Sequence, residues 1–176
     1  MKMPLASFNI YLLLLFTVLS IGCESPEARK KREEASTLRL FLEVPTGGDH
    51  GGGVPIYRAN PMMISVEREP FLSEADLVSA AVIEVRGGFE IQAQFNGHAA
   101  LLLENVTVSH KGRHIAIQSH WSETRWLAAP LITHRISNGE VVFTPDANRE
   151  ETERIVRGLT NVIEQVRRNT PNALRD

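Results

Sequence analysis

The chain has 176 residues, of which 43% are hydrophobic and 23% charged, so it can bury the core of one globular domain of ordinary size. Its formal net charge of -2 at pH 7 leaves no basic excess that would bind the phosphate backbone of a nucleic acid. The single cysteine, Cys23, excludes internal disulfide bonds and zinc sites built from several thiolates.

The N-terminal residues predict an export signal rather than a part of the fold. The apolar run 10–19 has the length of a signal-peptide core and is short for a membrane-spanning helix. Gly22 precedes Cys23, and Leu19 supplies a large aliphatic residue, a pattern that resembles the lipobox of bacterial lipoproteins. The resemblance implies a lipoprotein signal peptide over residues 1–22 and a lipid on Cys23. An ordinary secreted protein with a free thiol, or a protein with an uncleaved anchor, are the alternatives.

A charged segment follows the cysteine. Residues 24–37 mix both signs of charge and contain almost no large apolar side chain, so they cannot bury enough surface to fold alone. They predict a lipid-anchored tether over residues 23–37. The basic cluster 29–32 either lies on anionic lipid headgroups or is part of an ordinary solvated spacer.

Alternation of apolar and polar residues predicts several strands in the rest of the chain. In chain order these segments are 38–44, 62–66, 83–86, 89–95, 115–117, 126–132 and 141–144. Gly87-Gly88 predicts a tight hairpin turn, and Asn138-Gly139 predicts another before the last strand. Residues 46–53 are rich in glycine and predict a mobile loop, without the lysine of a phosphate-binding loop.

Helical periodicity appears in two longer segments. The first covers residues 97–111, and Gly112 is placed to end it with a positive φ. Its apolar stripe consists of Ala99, Leu102, Leu103 and Val106. The second begins at a capping box of Asn148 and Glu151 and ends before Pro171. Its apolar stripe consists of Ile155, Val156, Leu159, Val162, Ile163 and Val166.

The order of these elements defines a fold class. Ser73, three residues before Asp76, adds a single helical turn over residues 73–79. Together the elements predict an α+β fold, with a mainly antiparallel sheet of about five strands and two helices packed on one face. This single domain spans residues 38–170, and residues 171–176 predict a disordered tail.

Two short motifs stand close together in the second half of the domain. Residues 112–117 read GRHIAI and residues 128–132 read AAPLI. They resemble the Gly-Arg-x-Leu-Ala-Ile and Ser-Ala-Pro-x-Ile motifs in the head subdomain of the first periplasmic domain of SecD and SecDF, membrane subunits that assist protein export. The turn at 138–139 and Phe143-Thr144 fit the same family, so the resemblance covers residues 71–166.

The resemblance implies the fold of that head subdomain and contact with exported or envelope proteins. The transmembrane helices of the family have no counterpart in this sequence, so the resemblance does not imply the export motor. Where the family has a short Asp-Gly hairpin turn, this chain has the longer residues 119–123.

No residues are grouped as catalysis or metal binding would require. His110 and His114 are separated by the helix-ending Gly112, so they would not share a helix face as metal ligands do. Glu150 and Glu151 stand at a helix start, where carboxylates complement the helix dipole. The sequence therefore predicts no catalytic residue, no metal and no cofactor.

Two tryptophans flank a polar turn between two of the predicted strands. Trp121 and Trp126, with Arg125 between them, have side chains that are enriched at protein interfaces. We therefore predict that these three residues contact a partner. The alternative is that Trp126 packs in the core and only Trp121 is exposed.

The predicted function is a lipid-anchored, non-catalytic binding or scaffold module on the periplasmic side of the bacterial cell envelope, with a protein partner and no nucleic acid. The alternative is a small-molecule receptor or enzyme with a polar pocket lined by His110, His114 or His134.

Overall fold

The computed structural model describes residues 26–45 and 53–169. The predicted signal peptide, Cys23, most of the glycine-rich segment and the predicted tail lie outside the described residues. The chain divides into two compact units, Met1–Lys31 and Arg32–Asp176.

Helix α1 (Pro26–Glu33) lies where the sequence predicts a tether. Proline at its first position and an acidic residue in its first turn both favour a helix start. The residues after α1 belong to the folded body, because Glu34 accepts a hydrogen bond from Arg157 (2.7 Å) and Ser36 is buried. The first strand begins at Thr37, the last residue of the predicted tether.

Eight strands and two further helices follow within the described residues. The strands are β1 (Thr37–Leu42), β2 (Val54–Ile56), β3 (Met62–Ile64), β4 (Leu77–Val85), β5 (Gly88–Phe95), β6 (Ile115–His120), β7 (Thr124–Ala128) and β8 (Glu140–Phe143). The helices are α2 (Gly97–Ser109) and α3 (Arg149–Asn169). All pairs are antiparallel, in three sheets with the orders β1-β6-β7, β2-β3 and β4-β5-β8. The α+β prediction is confirmed, whereas the prediction of one sheet of about five strands is wrong.

The position of β8 accounts for part of that difference. Gly139 adopts a φ of 69°, as a hairpin turn requires, but β8 pairs with β5 rather than with β7. The N–H of Phe95 donates to the carbonyl oxygen of Gly139 (2.9 Å), so the turn docks against the end of β5. A Cβ at Gly139 would lie 2.8 Å from the Cβ of Ala100, and this close approach favours glycine. The turn therefore carries the chain from one sheet to another.

The sheet β1-β6-β7 has a hydrophobic core on each face. The main core joins it to α2, α3 and the sheet β4-β5-β8, through residues that include Leu40, Ile91, Leu103, Ile117, Leu127 and Leu159. On the opposite face, Phe41 and Ala116 pack under the β2-β3 hairpin, whose Ile56 and Ile64 are buried. The sheet β1-β6-β7 is thus the middle layer of the domain.

Helix α3 begins at the predicted capping box. The side chain of Asn148 accepts from the N–H of Glu151 (2.9 Å), and the Glu151 carboxylate accepts from the N–H of Asn148 (2.9 Å). The buried apolar residues of the helix are Ile155, Val156, Leu159 and Ile163. Val166 is exposed, because residues 164–169 all face solvent, so the predicted apolar stripe continues past the core.

The β4-β5 turn is shifted by one residue from the predicted one. Arg86 and Gly87 form the turn, with Gly87 at a φ of 94°, and Val85 pairs with Gly88. This register places Val82 opposite Ile91 on the core face. A one-residue slip would turn every side chain of β4 to the other face, so the core fixes the register.

Two predicted helical segments are shorter in the structure. Helix α2 ends at Ser109, and on its predicted apolar stripe Leu102 is exposed. The predicted turn over residues 73–79 is a 3-10 turn of Glu74–Asp76 only, because Leu77 already belongs to β4.

Candidate protein-binding surface

Arg125 of β7 is held between an indole ring and two carboxylates. Its guanidinium carbon lies 4.8 Å from the centre of the Trp121 ring, a cation–π distance. Its terminal nitrogens form ion pairs with Glu123 and Glu151, each at 3.2 Å. Only 12% of the side chain is exposed, and its Nε–H has no acceptor among the described residues. The charge of Arg125 therefore serves contacts within the protein.

Glu151 connects this arginine to the start of α3 and to the loop after β2. Its carboxylate accepts a hydrogen bond from the Asn148 N–H and forms the ion pair with Arg125. It also forms an ion pair with Arg58, at 3.8 Å. Burial raises the pKa of the Glu151 carboxyl, but the Asn148 hydrogen bond and the two arginines outweigh it, so the pKa lies below its usual range. Arg58 also forms an ion pair with Asp146 (3.4 Å). The ionised carboxylate thus ties together three segments of the domain.

Trp126 lies on the opposite face of β7 from Arg125, since successive strand residues point to opposite faces. Its ring meets that of Phe41 edge-on, with the centroids 5.2 Å apart, and packs in the second core. Trp121 packs against the main core. Trp121, Arg125 and Trp126 therefore do not form one surface, and their contact with a partner stays a prediction.

The histidines named as ligand candidates also lie apart. Nδ1 and the backbone N–H of His114 both lie 2.7 Å from one carboxylate oxygen of Glu43. Nδ1 of His110 lies 3.2 Å from a carbonyl of its own helix, and that of His134 lies 2.9 Å from the Thr133 hydroxyl. Within residues 26–45 and 53–169, no three His, Cys, Asp or Glu side chains are close enough to share a metal ion.

A groove of about 520 Å³ follows the segment that connects β7 to β8. Its floor is formed by the buried side chains of Ile115, Ile132 and Val141. The aliphatic side chains of Leu131 and Val142 also line it and are 48% and 36% exposed. Its polar lining residues are Thr133, His134, Arg135, Ser137, Asn138 and Glu140, of which Arg135 forms an ion pair with Glu104 of α2. The lining is thus apolar at the base and polar around it, as in many binding grooves.

Strand β8 is an edge strand that lines this groove. Because Gly139 accepts a bond from β5, the antiparallel alternation directs the backbone of Val141 toward β5 and that of Val142 away from it. The N–H of Glu140, on the same free edge, donates to the Asn138 side chain (3.1 Å). No partner for the backbone of Val142 on that edge is present among the described residues. The edge can therefore accept a further extended strand.

Sequence reasoning missed the groove, although one signal for it is present. Val141, Val142 and Phe143 are three consecutive apolar residues in a strand, and side chains there alternate between faces. At least one of them must turn away from the core, and it is Val142. Leu131 has no comparable signal, because Pro130 and the bridge of Leu131 to His114 decide its orientation only in the folded domain.

Comparison with known proteins gives matches to solved structures only. No family model matches the chain, and no curated protein matches it. A structure of SecDF, described as a membrane component that enhances protein export, is 19% identical with a TM-score of 0.55, over 81% of this chain and 71% of that one. SecDF in its super-membrane-facing form is 19% identical with a TM-score of 0.56, over 78% of this chain and 21% of that one.

These two matches show that the domain is SecD-like in fold. SecDF from Thermus thermophilus aligns at a TM-score of only 0.40 with 15% identity, over 89% of this chain and 33% of that chain, and adds nothing to this conclusion. The resemblance that the motifs at 112–117 and 128–132 suggest is confirmed at the level of the fold. Of the helices within residues 26–45 and 53–169, none has the length and apolar character needed to cross a bilayer.

Proposed function

We propose that this protein is a non-catalytic binding module of the bacterial cell envelope that holds an extended segment of an exported or envelope protein. The observation that carries the proposal is the edge of β8 beside the groove. The backbone of Val142 has no partner there among the described residues, and the side chains of Leu131 and Val142 are exposed. A strand added at this edge would form backbone hydrogen bonds to β8 and place alternate side chains in the groove. Such recognition suits a partner that is not yet folded.

The SecD-like fold supports the class of partner. SecDF is described as enhancing protein export, and a module of that fold in this chain would meet polypeptides after they cross the membrane. Trp121 remains a second candidate contact, since its ring is half-buried rather than enclosed.

A lipid on Cys23 would keep the module at the membrane, facing the periplasm. We expect Cys23→Ser to move the protein from the membrane to the soluble fraction, because two or more acyl chains are needed for stable anchoring. Incorporation of a labelled fatty acid in the wild type and its loss in the variant would accompany this change. A variant that stays in the membrane, with no label in the wild type, contradicts the anchor.

Binding is tested with a fluorescent peptide in which valine alternates with charged residues. We expect Leu131→Ser and Val142→Thr each to raise Kd about tenfold, because burying one aliphatic side chain contributes about 1.5 kcal/mol. Fluorescence anisotropy measures the change. A peptide N-methylated at every residue should not bind, since it lacks every donor that could pair with β8.

Two residues of α2 provide matched controls. Leu101 and Val108 are exposed side chains of the same types that do not line the groove. Leu101→Ser and Val108→Thr should leave Kd unchanged. Equal losses in both pairs of variants, or tight binding of the N-methylated peptide, would overturn the proposed site.

A small-molecule receptor is the second candidate function, and His134 favours it. This histidine lines a groove whose volume, about 520 Å³, is within the usual range for ligand pockets. His110 and His114 do not line it. If a small ligand occupies the groove, His134→Ala should abolish its binding, whereas strand addition at β8 should be unaffected by that change.

A further inference from the structure

The outer edge of β4 is a second free strand edge, separate from the groove. β4 has nine residues and stands first in the order β4-β5-β8. Because Phe95 bonds to Gly139, just before β8, the alternation along β5 directs the backbone of Gln92 toward β4, where its partner is Ala81. Ala80 and Val82, on either side of Ala81, then direct their N–H and C=O groups outward, and by the same alternation so does Glu84.

No hydrogen bond reaches the outward backbone groups from residues 26–45 or 53–169. Proteins ordinarily protect such an edge with charges, prolines or bulges. In β4 such protective features occur only near the two ends of the strand. They are an irregularity in pairing between Leu77 and Ser79 and a single charged side chain, Glu84. Between them, residues 79–83 present an uncharged edge of mostly small side chains.

We propose that two copies of this chain pair through β4, antiparallel, to form one sheet of six strands. In a register centred on Ala81, Ala80 lies opposite the partner's Val82, and the two Ala81 side chains face each other on the two-fold axis. The outward N–H and C=O groups of Ala80 and Val82 then find their partners in the second copy.

The sequence of β4 is complementary to itself in this register. Glu84 lies opposite the partner's Val78, so no two carboxylates face each other. Within its own chain, Glu84 forms an ion pair with Arg149 (2.5 Å), and no unpaired charge enters the interface. The small side chains of Ser79, Ala80 and Ala81 let the two edges approach. A strand pair of this length buries less than a standard interface of about 1,600 Å². The dimer should therefore dissociate reversibly.

Sedimentation equilibrium of the purified chain tests the proposal through Ala81, which is exposed and lies at the centre of the register. We expect a reversible monomer–dimer equilibrium for the wild type. Ala81→Lys or Ala81→Glu alone should raise the dimer Kd at least about tenfold, because like charges then lie directly opposite each other. An equimolar mixture of the two variants should dimerise again, since the charges are then opposite, and this rescue cannot come from misfolding.

Gln92→Lys is the matched control. Gln92 pairs with Ala81 on the same face but lies on the central strand of its sheet, so the added charge should not change the dimer Kd. A chain that stays monomeric up to its solubility limit overturns the proposal. A dimer that Ala81→Lys leaves intact, or that the mixture of charged variants does not restore, assigns the interface elsewhere and overturns it as well.

Discussion

The two three-stranded sheets differ in how many backbone groups of their edge strands are hydrogen-bonded. In the sheet β1-β6-β7, the outward backbone groups of β1 are bonded by residues 65–74. These bonds run from Leu38 N–H to the Glu74 carboxylate, from Leu40 N–H to Leu72 O, from Phe71 N–H to Leu40 O, from Glu67 N–H to Leu42 O and from Val44 N–H to Ser65 O. On β7, Leu127 O accepts from the Asp146 N–H (2.7 Å). In the sheet β4-β5-β8, both outer strands are open within the described residues.

This difference separates framework from contact surface. The covered edge of β1 cannot add a strand, so on that side the sheet β1-β6-β7 serves as a support for the two cores on its faces. Open edges present donors and acceptors in the geometry of a sheet, and two of them on one sheet allow two independent partners. In our proposals, β8 takes an extended polypeptide and β4 takes a second copy of the chain.

The largest expected effect lies in the segment that covers β1. Leu72→Ala removes a side chain buried in the main core, although the backbone bond of Leu72 to Leu40 remains, so it should lower the free energy of unfolding by about 3 kcal/mol. Val78→Ala on the open edge should change it by less than about 0.5 kcal/mol, since that side chain is exposed. Urea unfolding at low protein concentration, where the chain is monomeric, measures both. Similar losses for the two variants would contradict the packing of Leu72 in the main core beside β1.

A second test concerns the arginines of the covered sheet. Arg125→Ala removes a nearly buried charge that holds Glu123 and Glu151, and should cost about 2 kcal/mol. Arg39 of β1 is 48% exposed and lies 3.9 Å from Glu74, so Arg39→Ala should cost less than about 0.5 kcal/mol. Urea unfolding again measures the difference. If Arg125→Ala were as mild as Arg39→Ala, Arg125 would be free to contact a partner, as the sequence alone predicts.

Local signals were sufficient to predict some of the element ends. The Asn148 and Glu151 pair marks the start of α3 because its hydrogen bonds join residues three apart. Gly112 has the predicted positive φ of 87°, but it does not end the helix, because His110 is already the C-cap and the Gly112 N–H donates to Ile132 O. The hairpin turn was predicted one residue late, because Arg86-Gly87 and Gly87-Gly88 both suit a turn. Only the packing of Val82 opposite Ile91 chooses between them.

The pairing of strands that are distant along the chain could not be predicted from the sequence. The strand that follows Asn138-Gly139 has the pattern of a hairpin partner for β7, but in the folded domain it pairs with residues 91–94 of β5. The groove and the free edge of β8 both result from that pairing. Tryptophan is a residue type enriched at interfaces, so the sequence favours a partner contact for Trp121. Its indole instead stacks with Arg125, which is held by Glu151 from a helix distant in sequence. Composition indicates which side chains can make contacts, and pairing decides which remain available.

The smallest expected effect lies at the open edge, where Glu84 meets Arg149. The hydrogen bond from Arg149 lowers the pKa of the Glu84 carboxyl, slight desolvation opposes it, and the positive charge of Arg149 adds to the lowering. Because the folded pKa is depressed, the ion pair stabilises the fold above the unfolded pKa of about 4.5 and ceases to do so as pH falls through the folded pKa. The stability difference between wild type and Glu84→Gln should therefore be constant near neutral pH and vanish in acid.

Carbon NMR of the Glu84 carboxyl measures the pKa directly, and Arg149→Gln should move this pKa back toward its usual value. An unchanged titration in that variant would show that the charge at this edge is not held by Arg149.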